Sequence, residues 1–180
     1  MTFRYVAFIS YSRRDLGAAT RLHTDLERFK LPSRISCDPA IPDRSRRLRP
    51  VFRDQTDLSF QNEEFWGQLE AELARSRYLI LLCSPACAAS GNVDREVRAF
   101  MRSRERPLDS LLPIVLDGRI DSDSQNDNCL PPSLTPFRQQ LASRNVPLAQ
   151  GARRTDLLLQ VASWILRVEY ASLADRYRRA

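Results

Sequence analysis

The stretch from Tyr78 to Met101 decides the fold, and it reads YLILLCSP (78–85), ACAASGN (86–92) and VDREVRAFM (93–101). The first segment is a short, continuous apolar run, which is typical of a strand buried on both faces of a parallel sheet. The last segment places its apolar residues on one stripe at helical spacing. Small residues lie between the two. The stretch therefore predicts a strand, a loop and a helix.

Glu96 falls in the first turns of that helix, and either Ser90 or Asn92 can cap the helix start. In an open parallel sheet, the loops at the carboxyl ends of the strands form the ligand crevice. A carboxylate near a helix start also lies in the partial positive charge of the unpaired backbone N–H groups. We therefore expect an ionised Glu96 to face a ligand.

Strands and helices alternate along the rest of the chain. Further strands are expected near 3–10, 48–52, 111–116 and 145–149, and helices near 15–29, 63–75, 93–106 and 155–168. Asp15 is expected to cap the first of these helices. The alternation predicts an α/β fold. Its form is a flavodoxin-like, doubly wound sheet of five parallel strands in the order 2-1-3-4-5, with helices on both faces.

In that order the switch point lies between strands one and three, and two loops flank it, at 10–15 and 84–96. The second loop leads to Glu96. The first loop contributes a serine and two arginines, namely Ser12, Arg13 and Arg14. Guanidinium groups suit phosphate recognition. Two of them opposite one carboxylate suit a ligand with phosphates at one end and a developing cation at the other.

Composition bounds the class of protein. The 180 residues are 43% hydrophobic, which fits one globular domain with a real core. No apolar run reaches the roughly 18 residues that a membrane span needs, and the start of the sequence lacks the features of a signal peptide. We expect a cytoplasmic protein. The last segment, 170–180, is rich in arginine and is expected to begin a linker to a further domain, C-terminal to residue 180.

Four cysteines and a net charge of +6 point to no particular chemistry. The cysteines are Cys37, Cys83, Cys87 and Cys129. They have no matching second pair and no histidine cluster, so we expect reduced thiols and no metal site. Most of the arginines are scattered over the sequence. Nucleic-acid binding through Arg44, Arg46, Arg47 and Arg49 is not expected, because no aromatic residues interleave with these arginines in the way that single-strand binding needs.

Four short motifs together resemble a Toll/interleukin-1 receptor (TIR) domain of the bacterial kind. In order they are FISYSRRD (8–15), VFRD (51–54) with Leu58, SRYLI (76–80) leading to Ser84-Pro85, and Glu96-Val97. The likeness spans about residues 3–168, which implies a TIR domain at 1–169. Some TIR domains are scaffolds that signal by self-association. Others cleave the nicotinamide–ribose bond of NAD+, and many bacterial ones do so in antiphage defence.

The resemblance implies roles for particular residues. Glu96 matches the catalytic glutamate of the family's Trp-x-x-x-Glu pattern, whereas Asn92 stands where that pattern has tryptophan. Ser12 and Arg13 match positions near the ligand, and 53–62 matches the mobile BB loop beside the pocket. Further substrate-binding candidates lie in this loop and around it: Arg14, Phe52, Arg53, Asp54, Phe60, Phe65, Trp66, Ser84 and Asn92. Phe60, Phe65 or Trp66 could stack on a base.

These observations predict an NAD+ glycohydrolase that forms nicotinamide and either ADP-ribose or a cyclic product. NAD+ is then a substrate, and no cofactor, metal or membrane is expected. The expected partners are other copies of the domain and a linked sensor domain. The alternative is a non-catalytic TIR scaffold for protein–protein interaction, which Asn92 favours. A response-regulator receiver is set aside because Ser10 and Ser84 stand where that class needs acidic residues. The pair Arg13-Arg14 argues against a flavin carrier.

Overall fold

The computed structural model describes residues 3–32, 35, 46–54, 62–144 and 146–179. Its strands are β1 (Tyr5–Ser10), β2 (Val51–Arg53), β3 (Ser76–Cys83) and β4 (Leu111–Val115). Its α-helices are α1 (Leu16–Arg28), α2 (Glu63–Ala74), α3 (Pro85–Ala88), α4 (Gly91–Arg102), α5 (Arg138–Ala142), α6 (Arg154–Leu166) and α7 (Tyr170–Arg178). Short 3-10 turns occupy Arg13–Asp15, Pro107–Ser110 and Pro132–Phe137.

The strands form one parallel sheet in the order β2-β1-β3-β4, which confirms the flavodoxin-like α/β class. The expected fifth strand is reduced, among the described residues, to one bridge between Leu148 and Val115. The backbone N–H of Val115 donates to the carbonyl of Pro147, and the N–H of Ala149 donates back to Val115. Proline offers no N–H to continue this ladder, so a full edge strand does not form.

Side chains of β3 alternate between the two faces of the sheet, as successive strand residues must. Tyr78, Ile80 and Leu82 join the core beneath α1, α6 and α7. Leu79, Leu81 and Cys83 join a second core beneath α2, α4 and α5. Both faces are covered, which explains why this strand is a continuous apolar run rather than an alternating one.

Capping residues set the helix starts at the carboxyl edge of the sheet. Ser90 accepts from the backbone N–H of Val93 and begins α4, so the serine rather than Asn92 is the cap. Asp15 occupies the N-cap position of α1, as predicted, but its side chain makes no cap hydrogen bond. Instead the carboxylate of Asp15 accepts a hydrogen bond of 2.6 Å from the Ser84 hydroxyl. That bond ties the turn after β1 to the loop after β3.

Several predicted boundaries shift. The second strand is Val51–Arg53 rather than 48–52. The helix predicted at 93–106 is α4, and it begins at Gly91, two residues before the expected start. The short helix Pro85–Ala88 was not predicted, and Ser84 caps it by accepting from the N–H of Cys87. Proline at the first helical position also favours it. Of the described helices, none combines the length and apolarity that a membrane crossing would need.

Residues after 169 form helix α7, which packs on the domain. Leu173 and Ala174 are buried in the core beneath α1 and α6. The ring of Tyr177 stacks on Phe29, with centroids 5.7 Å apart. The arginine-rich end of the chain is therefore an amphipathic helix with its apolar side inward. That a further domain follows it remains a prediction.

Candidate functional site

Helix α4 places Glu96 in its second turn, on the side that faces the sheet. Only 8% of the residue is exposed, although it is an acid on a helix whose other charged residues include several exposed arginines. Val93, Val97 and Phe100 pack inward on the same face. The apolar stripe at helical spacing therefore carries the carboxyl group into the interior, as this position in the sequence suggested.

The partner of Glu96 is Ser10, the last residue of β1. The Ser10 hydroxyl donates to Oε2 of Glu96 across 2.5 Å, and both side chains are buried. Ser10 was not among the predicted site residues. Its signal in the sequence is slight, since it is one hydroxyl at the end of an apolar strand, 86 positions from its partner. Only the pairing of β1 with β3 and the docking of α4 bring the two together.

Burial raises the pKa of Glu96 to about 8. The hydrogen bond from Ser10 lowers that pKa, because it stabilises the charged form, and the nearby negative charge of Asp54 raises it. Burial is the largest of the three effects. A carboxyl group that titrates near neutral pH at the edge of a cleft is a common property of catalytic acids and bases.

A small cleft of about 40 Å³ opens beside this carboxyl group. The described residues that line it are Ile9, Tyr11, Arg13, Asp54, Ser90, Asn92 and Glu96. They come from the end of β1, the end of β2 and the start of α4, so the cleft lies at the carboxyl edge of the sheet where β1 separates from its neighbours. We refer to these residues as the Glu96 cleft.

One rim of the Glu96 cleft is held by Tyr11, which sequence reasoning also missed. The Tyr11 hydroxyl donates to the backbone carbonyl of Asp54 across 2.6 Å. An N–H group of Arg53 lies 3.3 Å from the same hydroxyl and donates to it. Within the described part of the chain, the Nε of Arg53 is buried without a hydrogen-bond partner. These bonds fix the point at which the chain leaves β2 towards residues 55–61.

The structure brings together Arg13, Asp54, Asn92 and Glu96 of the predicted site residues. Arg53 lies behind the rim. Ser12 is buried in the same turn, and its carbonyl accepts from the N–H of Asp15. The prediction for Phe60 lies outside the described residues.

Other predicted site residues lie elsewhere. Phe52 stacks on Phe8, with ring centroids 5.0 Å apart, and so belongs to the core. Trp66 is buried on α2 with Phe65 at its edge, and the guanidinium of Arg95 lies 4.2 Å from its ring centroid. Ser84 is occupied with Asp15 and with its helix cap. Of the aromatic side chains predicted to stack on a base, Trp66 is thus buried against protein, and Phe65 packs against its ring.

Arg14 points to a second, larger cleft on the opposite face of the sheet. This α1–α6 cleft has a volume of about 590 Å³, and its described lining includes Arg14, Arg21, Leu116, Leu157 and Gln150. Across its rim Arg154 grips the Asp25 carboxylate with two hydrogen bonds of 2.6 and 2.5 Å. None of the described acidic residues that line it is buried as Glu96 is.

Metal binding finds no support among the described residues, where no group of three or more His, Cys, Asp or Glu side chains could hold an ion. The thiols of Cys83, Cys87 and Cys129 are free and buried, and burial raises the pKa of Cys87 to about 12. The Glu96 cleft therefore contains a buried carboxyl group whose pKa, about 8, lies near neutral pH. Such a group can stabilise a developing cation or accept a proton.

Comparison with known proteins identifies the family. The sequence model of the TIR domain matches residues 7–142. The NAD(+) hydrolase ApTIR of Actinoplanes sp. is 34% identical over 139 residues, which are 73% of this chain and 18% of that protein. The chain thus spans less than a fifth of that relative.

A solved structure supports the fold. The TIR domains of the activated Roq1 resistosome, which directly recognizes the pathogen effector XopQ, align with a TM-score of 0.56 at 13% identity. The alignment covers 87% of this chain and 96% of that one. The family model over residues 7–142 and the 34% identical relative show that the chain belongs to the TIR domain family, and its parallel sheet agrees with that fold.

Proposed function

We propose that this TIR domain is an NAD+ glycohydrolase in which Glu96 is the catalytic residue. The observation that carries the proposal is a single buried carboxyl group, hydrogen-bonded to Ser10, at a cleft on the carboxyl edge of the sheet. A relative that is 34% identical over 139 residues bears the name NAD(+) hydrolase, which supports the same substrate for this chain.

The reaction breaks the C–N bond between ribose and nicotinamide. Both electrons of that bond leave with nicotinamide, which departs as a neutral molecule and needs no proton from the protein. The ribose is left with the charge of an oxocarbenium ion. An ionised Glu96 stabilises that charge, since a fixed carboxylate in a poorly hydrated site acts strongly on a developing cation. Water then adds to give ADP-ribose and a proton, or a group of the same nucleotide adds to give a cyclic product.

The neighbours of Glu96 suggest how the substrate lies. Asn92 is one helical turn before Glu96 and lines the same cleft, so its amide can orient a ribose hydroxyl or the nicotinamide carboxamide. Arg13 lines the cleft from the other side, where a guanidinium suits the diphosphate. Asp54 lines the cleft and lies close enough to raise the pKa of Glu96, which supports a role for a second carboxylate beside the ribose.

The size of the cleft suggests how activity is controlled. About 40 Å³ holds one or two water molecules, so a nicotinamide riboside group must open it further. We propose that self-association of TIR domains stabilises the open form, that a linked sensor domain controls this association, and that the whole acts in the cytoplasm in antiphage defence or signalling.

The second candidate function is a non-catalytic TIR scaffold. Asn92 favours it, because the family pattern that the chain resembles has tryptophan at this position. In that case Glu96 would be a buried acid held by Ser10 for structural reasons, and self-association would be the whole function.

The deciding experiment incubates concentrated protein with NAD+ and separates nicotinamide, ADP-ribose and cyclic products by chromatography. The parent is compared with Glu96→Gln, which keeps the shape and can still accept a hydrogen bond from Ser10. Crowding agents or an appended dimerisation domain supply association. Nicotinamide release by the parent and not by the variant supports the enzyme. Association without release at any concentration supports the scaffold, and equal release by both removes Glu96 from the mechanism.

A further inference from the structure

Ser10 stands at an unusual place for a hydroxyl group. It ends β1, pairs with Leu81 of β3 and is only 1% exposed. Phe8, two residues earlier, packs in the core beneath α2 and α4. Residues two apart on a strand share a face, so the Ser10 side chain leaves the sheet towards α4. An apolar residue would continue the core at this position, whereas a buried hydroxyl costs free energy unless it forms a hydrogen bond.

The Ser10 hydroxyl donates to Oε2 of Glu96 across 2.5 Å. A hydrogen bond to an ionised carboxylate is stronger than one between neutral groups, so a donor held here favours the ionised form. Ser10 is on a central strand, between β2 and β3, so the donor is held by the sheet rather than by a loop. The contact engages Oε2 and leaves Oε1 as the oxygen that can turn to the cleft.

We infer that Ser10 is a positioning residue, whose hydroxyl holds the Glu96 carboxylate in one orientation and favours its ionised form. The inference rests on the proposed function, because it assigns Ser10 a part in the same reaction. Burial and the charge of Asp54 both raise the pKa of Glu96, whereas the hydrogen bond from Ser10 lowers it. Without the Ser10 hydroxyl, only the two effects that raise the pKa remain.

A purely structural serine would behave differently. It would affect the free energy of unfolding, but neither the pH at which Glu96 titrates nor the pH dependence of turnover. Ser76 supplies the matched control. It is a fully buried serine at the amino end of β3, and its hydroxyl donates to the backbone carbonyl of Glu72 across 2.8 Å, at the far edge of the sheet.

The experiment compares the parent with Ser10→Ala, Ser10→Cys and Ser76→Ala. Glutamate labelled with 13C at the side-chain carboxyl reports the pKa of Glu96 by NMR, and Glu96→Gln identifies its signal. The same four proteins are assayed for kcat and KM between pH 6 and 9. Ser10→Cys keeps the size of the side chain with a weaker donor, so the test survives if Ser10→Ala does not fold.

In Ser10→Ala we expect a higher pKa for Glu96 and a kcat/KM that is about 10-fold to 100-fold lower at pH 7, as loss of a hydrogen bond to a charged group predicts. The fall should lie in kcat more than in KM and shrink as the pH rises. Ser10→Cys should be intermediate, and Ser76→Ala should match the parent in both readouts.

An unchanged pKa of Glu96 in both Ser10 variants would overturn the inference, whether or not the protein is active. If the parent releases no nicotinamide while the pKa still rises in Ser10→Ala, the proposed function fails and the effect of Ser10 on Glu96 stands. A loss of activity that is the same at every pH and equal in Ser76→Ala would also overturn it, since general destabilisation would then account for the loss.

Discussion

Two of the clefts described above lie on opposite faces of this sheet and differ both in size and in the residues that line them. The α1–α6 cleft has about 590 Å³, and an ion pair between Arg154 and Asp25 crosses its rim. The Glu96 cleft has about 40 Å³ and contains a carboxyl group with a pKa of about 8. The volume of a cleft shows where a ligand fits without a change in the protein. A buried acid shows where the fold keeps an ionisable group away from the water that would stabilise its charge. On the proposed mechanism, the buried acid is the better guide to the catalytic site.

The largest expected effect separates the two clefts directly. Glu96→Gln should lower the rate of nicotinamide release by about a thousandfold or more, because removing electrostatic stabilisation of a transition state costs about 10²–10³-fold for a single neutral donor and a charge contributes more. Arg154→Ala in the other cleft should stay within about twofold of the parent, since an exposed ion pair contributes little. Chromatographic quantification of nicotinamide measures both, and a loss in Arg154→Ala as large as that in Glu96→Gln would reverse the comparison.

The pH dependence of turnover should follow Glu96. If the ionised carboxylate is the active form, kcat/KM rises about tenfold per pH unit below the pKa and levels off above about 8. Burial is the main reason that the rise lies so far above the range of an ordinary glutamate. Initial rates between pH 6 and 9 test this. A rate that falls with pH over this range would mean that the protonated carboxyl group is the active form.

Stability should show the cost of holding that acid. The folded state raises the pKa of Glu96 from 4.5 to about 8, so folding favours the protonated form. The stabilising contribution of Glu96 to the free energy of unfolding is fully present below pH 4.5 and is lost as the pH rises towards 8. The loss is up to about 1.4 kcal/mol per pH unit. Glu96→Gln has no such proton to lose. Urea unfolding at pH 5, 6, 7 and 8 should therefore show that the free energy of unfolding of the variant rises relative to that of the parent at each step. A difference in free energy that stays constant with pH would contradict the raised pKa.

The smallest effect belongs to the α1–α6 cleft. A double-mutant cycle on Asp25→Asn and Arg154→Ala should give a coupling energy close to zero that falls further with added salt, despite the two short hydrogen bonds, because Arg154 is exposed and water screens the pair. Urea unfolding of the four proteins at low and at high salt measures the coupling energy. A large coupling energy that survives high salt would show that this pair stabilises the fold and would reduce the difference between the two clefts.

Much of the fold could be read from the sequence, because the relevant signals are local. The apolar run of β3 predicts a strand buried on both faces, and the stripe that includes Val93, Val97 and Phe100 predicts α4. The weak signals failed. The predicted fifth strand is a single bridge, because Pro147 has no N–H to donate. The arginine-rich end, predicted to be a linker, forms the amphipathic helix α7, whose Leu173 is buried.

The candidate site divides in the same way. Glu96 could be placed at a crevice from its position in a strand–loop–helix unit, and Arg13 could be placed near it by the order of the strands. Asn92 was placed there by the resemblance to the TIR family pattern. Phe52 and Trp66 were expected near the ligand and lie in the core, because aromatic side chains are as useful in packing as in stacking on a base. The periodicity of apolar residues predicts which side chains face the interior. It does not predict whether such a side chain packs in a core or lines a cleft.

By itself, the sequence determined the α/β alternation and the helix that bears Glu96, since both follow from which residues avoid water. Only the tertiary structure decided that Ser10 meets Glu96 and that Tyr11 braces Asp54. It also decided that Arg13 and Arg14, adjacent in the chain, line clefts on opposite faces. Contacts of this kind join residues that are distant in sequence. They depend on how strands pair and helices dock, and no local pattern of polarity records them.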